Sequence, residues 1–426
     1  MPPELSSIFS YIWQTIRAWW WFVLPFLLWK PFLYFWRWWR VELFLKKTKF
    51  ILLEIKLPKE SLKPIKAMEE VFAGFHAIHD VFVFREKWIE GQIQLSISCE
   101  IVSLGGETHF YIRTPEIYRN IIESNIYSQY PEAEISLAED YTRNVPLSIP
   151  NKDWDIWGCD FVNSRKEDVY PIKTYPKFET EKETEEEKRV DPLAGLLDGM
   201  ATIGPGEQIW LQFIALPVRD EIPWRKRGRE LADKIARRKA ITPKKPMIQE
   251  AAEILITGKT PGEEVQEEKE IIPPEMKLTP GERDILTAVE EKISKFAFIC
   301  NIRFAYLGKR DVFFKPRGRF VFGFFKEVST ENLGGLKIWR ETMTKIKSTF
   351  FWFLDKRRLY VRKRKLFRFY KERLSPLFPR SGGTYVLNTA ELATLYHFPS
   401  RIVAPAPGVL RAEAKRGEAP PEIPLE

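Results

Sequence analysis

Residues 92–113, QIQLSISCEIVSLGGETHFYIR, contain the clearest signal for the fold. In its first half every second side chain is apolar, which predicts a strand over 92–104 with one buried face. Those apolar residues are Ile93, Leu95, Ile97, Cys99 and Ile101. The pair Gly105-Gly106 is a hairpin turn signal, so the segment 108–113 (THFYIR) is expected to pair with the first strand.

The flanking segments extend this hairpin into a split βαβ unit. Upstream, 50–57 (FILLEIKL) has the aliphatic and β-branched content of a strand, and 65–79 repeats apolar residues at helical spacing. Downstream, a helix is expected over 116–130, and 133–137 (AEISL) is a last short strand. The order βαββαβ predicts a ferredoxin-like domain over 48–178.

A second α+β domain is predicted over 192–339. Its candidate elements are strands at 208–217 and 296–307 and helices at 224–239 and 282–295. A run rich in Pro, Glu and Lys over 240–281 is expected to be a helical insertion, and the acidic run 179–191 is expected to be a solvated linker. The expected fold class is therefore α+β with two ferredoxin-like units.

The N-terminal segment 1–47 has the composition of a membrane anchor. Residues 18–36 read AWWWFVLPFLLWKPFLYFW, an apolar run that Pro25, Lys30 and Pro31 interrupt, and a transmembrane helix needs about 20 such residues. Aromatic and basic side chains at both ends are typical of membrane interfaces. The expected interface residues are Trp19, Trp20, Trp21, Trp36, Trp38, Trp39, Arg37 and Arg40.

The charges beside this run predict its orientation. Five cations follow it within 37–49, whereas only Arg17 closely precedes it. The positive-inside rule then predicts a single-pass protein of the cytoplasmic (inner) membrane, with the bulk of the chain in the cytoplasm. The charge at Lys30 leaves three alternatives open: an amphipathic helix in the membrane interface, a re-entrant hairpin bent at Lys30-Pro31, and a buried helix.

The segment 340–373 concentrates positive charge. It contains thirteen Lys or Arg residues against three acidic ones, with aromatic residues interleaved. We expect a long basic helical segment here, followed by an extended connector over 374–426. Three interpretations fit the pattern: contact with a nucleic-acid backbone and its bases, contact with an anionic membrane surface, or a solvated helix face. The candidate residues for anionic lipid or nucleic acid are Lys356, Arg357, Arg358, Arg362, Lys363, Arg364, Lys365 and Arg368.

Motifs for catalysis or cofactor binding are weak. The segment 257–260 (TGKT) resembles the end of a Walker A motif, but Glu253 occupies the position at which a P-loop needs glycine. His76 and His79 lie one helical turn apart, but no third metal ligand is apparent. We therefore predict no enzyme activity, no cofactor and no metal site.

The remaining candidate side chains are expected to be inert. Asp153, Asp155 and Asp160 lie close together but lack the glycine of a calcium loop, so we interpret them as solvated loop carboxylates. Three distant cysteines exclude a disulfide framework, and buried, unreactive thiols are expected at all three. They are Cys99, Cys159 and Cys300.

Several short motifs together resemble a known group of transfer proteins. They are KAMEEVFA (66–73), GGE and HFYI (105–107 and 109–112), IYSQYP (126–131), DIWG (155–158), YPIKTY (170–175), DPLA (191–194), GEQIW (206–210) and LNTAELATLYHFP (387–399). On these motifs the chain resembles the N-terminal region of bacterial type IV secretion or conjugative DNA-transfer ATPases, particularly an uncharacterised form from candidate-phyla bacteria. The likeness covers nearly the whole chain.

This resemblance implies partners rather than an activity. In that family the matching region precedes a hexameric HerA/FtsK-like motor with Walker A and B motifs, and this chain ends at 420–426 (PPEIPLE), about where the motor would begin. The expected function is a membrane-anchored, non-catalytic module that docks a separate P-loop motor ATPase to the lipid bilayer. The resemblance also implies other secretion-system subunits and a hexameric homo-oligomer as partners.

A membrane-tethered nucleic-acid-binding protein is the alternative. It would guide DNA through the basic stretch 356–373. Contacts to phosphates predict that added salt weakens such binding steeply.

Overall fold

The computed structural model describes residues 3–58, 63–178, 191–218, 222–238, 278–347, 352–374 and 383–399. The helices in these ranges are α1 (Pro3–Lys47), α2 (Ile65–Phe75), α3 (Arg119–Gln129), α4 (Ala194–Ala201), α5 (Trp224–Ile235), α6 (Pro280–Ser294), α7 (Phe320–Glu327), α8 (Asp355–Glu372) and α9 (Thr389–Leu395). The strands are β1 (Phe50–Lys56), β2 (Ile97–Leu104), β3 (Glu107–Pro115), β4 (Glu134–Leu137), β5 (Trp154–Asn163), β6 (Glu207–Pro217), β7 (Ala297–Lys309), β8 (Leu336–Ile338) and β9 (Tyr385–Asn388). They form one sheet in the order β4-β1-β3-β2-β6-β7-β5-β8, with β9 paired to β7, so the α+β class is confirmed.

The first half of the sheet has the strand order of a split βαβ unit. Its elements follow one another as β1, α2, β2, β3, α3 and β4, and its strands lie in the order β4-β1-β3-β2. Gly105 and Gly106 close the β2–β3 hairpin with φ angles of 62° and 103°, which residues with a Cβ rarely adopt. The strand predicted over 92–104 begins only at Ile97, where its pairing with β6 starts at Ile97↔Ala215.

The second half of the sheet repeats this order. Its elements β5, α4, β6, β7, α7 and β8 place their strands as β8-β5-β7-β6. Antiparallel pairing of β2 with β6, from Leu104↔Gln208 to Ile97↔Ala215, joins the two halves into one sheet. The predicted first domain ends at 178, whereas β5 lies between β7 and β8 and belongs to the second half by its position in the sheet.

Three predicted segments fall largely outside the described residues. The acidic linker 179–191 is described only at Asp191, and the insertion 240–281 is described only from Leu278, just before α6 begins. Of the connector 374–426, the described part is 374 and 383–399. There the chain forms β9 and the buried helix α9 rather than an extended connector.

Helices cover both faces of the sheet, and strand alternation decides which side chains each face receives. On one face, α2, α4, α7 and α9 cover Ile101, Leu211 and Phe304, and the rings of Phe213 and Tyr396 lie 6.1 Å apart. On the opposite face, α8 packs its apolar side chains on the centre of the sheet. The sheet is therefore buried on both sides along much of its length.

The helix α1 corrects one prediction. It runs unbroken from Pro3 to Lys47 with Pro25 and Pro31 inside it, yet no helix among the described residues is long and apolar enough to cross a membrane. The predicted N-terminal transmembrane helix is wrong, and so is the placement as a single-pass protein of the cytoplasmic membrane. The physical reason is that the run owes much of its aromatic content to tryptophan, whose indole N–H is polar, and that Lys30 and the two prolines interrupt it further.

Residues 1–50 and 80–95 form one compact unit, and residues 51–79 and 96–426 form another. Within the first unit, a π-helical turn at Glu86–Glu90 lies beside α1, and Trp36 Nε1 donates to the Trp88 carbonyl at 2.9 Å. Gly91 has a φ of 75°, and a Cβ there would lie 2.4 Å from the carbonyl carbon of Arg40. An apolar groove in this unit is lined by Trp29, Phe32, Leu33, Trp36, Phe84, Trp88 and Ile89.

Candidate functional site

The helix α8 places the basic segment on the sheet. It spans Asp355–Glu372, with a short 3-10 turn at Trp352–Leu354 before it, so the helix predicted from residue 340 begins much later. Leu366, Phe367 and Tyr370 recur at helical spacing on its buried face, and Tyr370 packs 5.0 Å from the ring of Trp210. Burial of this face leaves the charged face of α8 directed away from the sheet.

Beneath α8, four polar side chains form a row across the sheet. Glu100 on β2 lies opposite Gln212 on β6, Gln212 lies opposite Arg303 on β7, and Arg303 lies opposite Asp160 on β5. All four are fully buried, and hydrogen bonds join them from end to end. The Gln212 amide donates to Glu100 at 3.0 Å, Arg303 Nη1 donates to Gln212 at 3.2 Å, and Arg303 Nε donates to Asp160 at 2.7 Å.

This polar row also binds the C-terminal end of α8. Arg303 Nη1 donates to the carbonyl of Phe369 at 2.8 Å, and Gln212 Nε2 donates to the carbonyl of Tyr370 at 3.2 Å. The last carbonyls of a helix lack partners within the helix and carry partial negative charge. The backbone amides of Leu374 and Arg373 also donate to these two carbonyls, so the buried guanidinium and amide are second donors that attach the end of α8 to the sheet.

Arg373 completes this attachment one residue after α8. Its backbone turns left-handed, with a φ of 45°, and its guanidinium donates to Glu100 at 2.8 and 3.0 Å and to Asp140 at 2.6 and 3.1 Å. Burial alone would raise the pKa of Glu100, but the charge and hydrogen bonds of Arg373 outweigh burial and hold that pKa below its ordinary value. Both members of the pair are therefore charged inside the protein.

The aspartates interpreted as solvated loop residues have different roles. Asp160 lies in β5 and is buried against Arg303, where burial raises its pKa. The Lys363 ammonium donates to the Asp155 carboxylate at 2.6 Å. That interpretation is therefore wrong for these two residues, because both sit in a strand that the sequence analysis did not predict.

The structure divides the eight predicted lipid- or nucleic-acid-binding residues into two groups. Lys363 is buried against Asp155, and Arg362 donates to the backbone carbonyl of Met343 at 2.9 Å, so these two side chains stabilise the fold. The other six are exposed along α8. They are Lys356, Arg357, Arg358, Arg364, Lys365 and Arg368.

A groove of about 540 Å³ runs along the exposed side of α8. One wall is α8, and the other is the loop at Leu147–Ile149, where Leu147 is 85% exposed. We call this the basic groove, because four cations line it against one carboxylate. The cations are Arg364, Lys365, Arg368 and Lys371, and the carboxylate is Glu372.

The basic groove also contains an accessible aromatic ring. Tyr360 is 44% exposed, and the Arg364 guanidinium lies 5.7 Å from the centre of its ring. The carboxylate of Glu372 is 3.9 Å from Arg368 in an exposed i,i+4 pair, a contact of little energetic weight. The groove thus presents several solvated cations beside a ring on which a planar group can stack.

The predicted interface residues of α1 do not form a comparable site. Trp19, Trp20 and Trp21 are exposed, as are Trp38 and Trp39. Trp36 lines the apolar groove of the first unit, the Arg37 guanidinium lies 5.6 Å from the Trp88 ring, and that of Arg40 lies 5.7 Å from the Trp39 ring.

The other candidate metal ligands and nucleophiles have packing roles where the structure describes them. His76 stacks on Phe296 at 4.7 Å and on His79 at 6.0 Å, and within the described ranges no three His, Cys, Asp or Glu residues are grouped to hold a metal. Cys99, Cys159 and Cys300 are buried, and burial raises the pKa of each thiol. The TGKT segment lies outside the described residues.

The motif at 387–399 is structural. Asn388 caps α9 by accepting from the Glu391 amide at 2.8 Å, and the Glu391 carboxylate meets the Lys292 ammonium at 3.1 Å with both side chains buried. His397 lies between the Asp191 carboxylate and the Ala393 carbonyl, at 2.9 and 2.8 Å. An Asn residue followed three positions later by Glu is a helix N-terminus signature, so the sequence contained the signal.

Comparison with known proteins assigns the chain to a family. A family model described as a domain of unknown function (DUF8128) matches residues 46–336. The chain belongs to DUF8128. No curated protein matches it. The DUF8128 match covers the strands of the polar row and the loop wall of the basic groove, whereas α8 lies beyond it. Because the description states no function, the resemblance to conjugative-transfer ATPases stays a prediction.

Proposed function

We propose that this chain is a non-catalytic nucleic-acid-binding protein that holds a single strand in the basic groove. The observation that carries the proposal is the lining of that groove: four cations on α8 face the loop 147–149, and Tyr360 lies among them. Phosphate contacts from Lys and Arg supply most of the sequence-independent affinity for nucleic acid. An aromatic ring beside them adds base stacking.

The attachment of α8 to the sheet supports this role. A binding helix must keep its cations in place while it neutralises phosphates, and α8 is bound at its C-terminal end by Arg303 and Gln212. Lys363 contributes a further buried contact to Asp155 on the same helix. The cations of the basic groove therefore project from a rigid element rather than from a loop.

The ring at Tyr360 favours a single strand over a duplex. Bases within a duplex are stacked on one another and paired, so their faces are not open to a protein ring, whereas unpaired bases stack readily on aromatic side chains. The site is concave, because the exposed Leu147 lies on the wall opposite α8. A linear polyanion can enter such a groove, so the shape favours nucleic acid over a bilayer. A planar lipid surface contacts a projecting face instead.

The proposal is tested by measuring the affinity of the full chain for a fluorescent single-stranded oligonucleotide over a salt series. Reversal of two groove cations, Arg364→Glu with Arg368→Glu, should weaken binding at least about tenfold. It should also make the salt dependence shallower by about 1.4 in log–log slope, since each lost single-strand phosphate contact accounts for about 0.7. Duplex DNA and vesicles containing anionic lipid serve as the competing ligands.

The matched control reverses two exposed cations on α5, Lys226→Glu with Arg229→Glu, which changes the net charge equally at a different place. Equal losses in the groove and control variants would show that total charge rather than the groove binds the strand. Binding of wild-type protein to anionic vesicles without binding to the oligonucleotide would overturn the proposal.

The predicted docking of a motor ATPase is a separate hypothesis. It requires a partner surface complementary to this chain, whereas the cations of the basic groove match a phosphate backbone directly. Co-purification with a P-loop ATPase encoded beside this chain would test the docking hypothesis independently.

A further inference from the structure

The loop that walls the basic groove leads directly to a second cationic element. Its residues 147–149 line the groove, and its continuation at Asn151 and Asp153 is bound by Arg310. The Arg310 amide donates to the Asp153 carbonyl at 2.8 Å, and its guanidinium donates to the Asn151 carbonyl at 2.9 Å. Arg310 therefore lies at the far end of the same loop.

Arg310 belongs to the turn 309–319, which follows β7 and is rich in cations. Lys309, Arg310, Lys315 and Arg319 are exposed there, against the single acidic residue Asp311. Arg317 differs from them because it pairs with the buried carboxylate of Glu207. The turn thus offers four solvated positive charges on a segment whose backbone is held by the end of the sheet.

This turn lies close to α8. Lys309 is opposite Trp154 in the pairing of β7 with β5, and Asp155, the next residue of β5, binds Lys363 of α8. The pKa of Lys363 is lowered, first by burial and then by the positive charges of Lys315 and Arg310, while Asp155 opposes the shift. Two neighbouring residues of β5 thus contact the start of the turn and the helix, which places the turn beside α8.

We propose that the turn 309–319 extends the basic groove, so that a bound nucleic-acid strand continues past Asn151 onto Arg310 and Lys315. This inference rests on the proposed function, because the groove supplies the first part of the binding site. It adds a property that the groove alone does not have: affinity must rise with strand length beyond the groove itself. A ligand that fills only the groove would not reach the turn.

The experiment compares a short oligonucleotide of about 6 nucleotides with a long one of about 16, lengths near the two ends of the roughly 4–16 nucleotides that single-strand-binding folds cover. In the wild-type chain the long strand should bind more tightly than its greater number of overlapping registers explains. The variant Lys309→Glu with Lys315→Glu, which keeps the Arg310 hydrogen bonds to the groove wall, should bind the long strand about five- to tenfold more weakly. It should bind the short strand within twofold of wild type.

The salt dependence gives a second readout. For the long strand, loss of two phosphate contacts should make the log–log slope shallower by about 1.4, while the slope for the short strand should not change. Thermal unfolding shows whether the variant keeps its fold, and Lys315→Glu alone serves as the milder variant. The control pair on α5, Lys226→Glu with Arg229→Glu, should leave the length dependence unchanged.

Two results would overturn the inference. One is an unchanged affinity of the turn variant for the long strand, and the other is an equal loss for both lengths. Failure of the wild-type chain to bind either oligonucleotide would overturn the proposed function itself. If the groove variant binds the oligonucleotide more weakly but the turn variant does not, only the extension onto the turn 309–319 is overturned.

Discussion

Arg373 and Glu100 form a bidentate ion pair inside the protein, with nitrogen–oxygen distances of 2.8 and 3.0 Å. One residue follows the basic helix α8, and the other lies in β2, so the pair connects elements that are 273 positions apart in sequence. Tyr141 donates to the same carboxylate at 2.6 Å. The orientation of the basic groove therefore depends on a buried ion pair whose two side chains do not line the groove.

Removal of Arg373 should destabilise the protein strongly. The variant Arg373→Met leaves the buried Glu100 carboxylate without its main cation, and breaking one side of a buried ion pair typically costs about 3–5 kcal/mol. Urea unfolding of the full chain measures this loss. The control Arg368→Met removes an exposed cation whose partner Glu372 is 3.9 Å away, and it should change stability by less than about 1 kcal/mol. Similar values for the two variants would contradict this account.

The acid sensitivity of the protein should also depend on Glu100. Its pKa is held below the ordinary value, mainly by Arg373 acting against the effect of burial. A carboxyl group with a lower pKa in the folded state contributes stability above the unfolded value of about 4.3 and loses it as the pH falls through the folded pKa. Below about pH 4.3, the free energy of unfolding should thus fall less steeply in Glu100→Gln than in wild type. Parallel curves from pH 6 to pH 3 would show that Glu100 does not titrate this way.

The sequence predicted the first half of the sheet because its signals are local. Alternation over Ile97–Leu104 and a glycine turn specify a hairpin within some twenty residues. Strand β5 lacks such signals: its alternation is interrupted by Asp155, Gly158 and Asp160, which are typical of loops. These two carboxylates become acceptable in a strand only because Lys363 and Arg303 reach them from distant parts of the chain.

The basic groove could be predicted only in part for the same reason. The positive charge and helical spacing of 356–373 are visible in the sequence, but the second wall at 147–149 is supplied by the tertiary fold. Lys363 and Arg362 have the same residue types as their exposed neighbours, and only burial of Lys363 and the Arg362 hydrogen bond to Met343 distinguish them. The prediction at α1 fails for another reason: a tryptophan-rich segment resembles a membrane span in composition, although its mean hydropathy is too low for one.

Substitutions of Arg303 and Asp160, the charged residues of the polar row in the second half of the sheet, should lower the free energy of unfolding by different amounts. Arg303 donates to Asp160, Gln212, Asn301 and the Phe369 carbonyl, so Arg303→Met leaves several buried acceptors unpaired and should cost about 3–5 kcal/mol. Burial raises the pKa of Asp160 even beside this guanidinium. Asp160→Asn also leaves the buried Arg303 without its carboxylate, but its amide oxygen can still accept from the guanidinium, so it should cost less, about 2–3 kcal/mol. Denaturant unfolding compares the two, and a reversed order would contradict this description of the row.

Two glycines should respond in opposite directions to alanine. Gly106 in the β2–β3 hairpin has a φ of 103°, and a Cβ there would lie 2.8 Å from the carbonyl oxygen of Ile203. Gly106→Ala should therefore destabilise the protein by about 1–3 kcal/mol through backbone strain and this clash. Gly195 in α4 has open space around the corresponding position, so Gly195→Ala should be neutral or should stabilise the protein by up to about 1 kcal/mol. Thermal and urea unfolding of both variants give the comparison, and equal effects would mean that the turn does not require glycine. Strain confined to this hairpin should also leave the affinity of the basic groove for an oligonucleotide unchanged, because β3 and the turn at 105–106 contribute no lining residue to it.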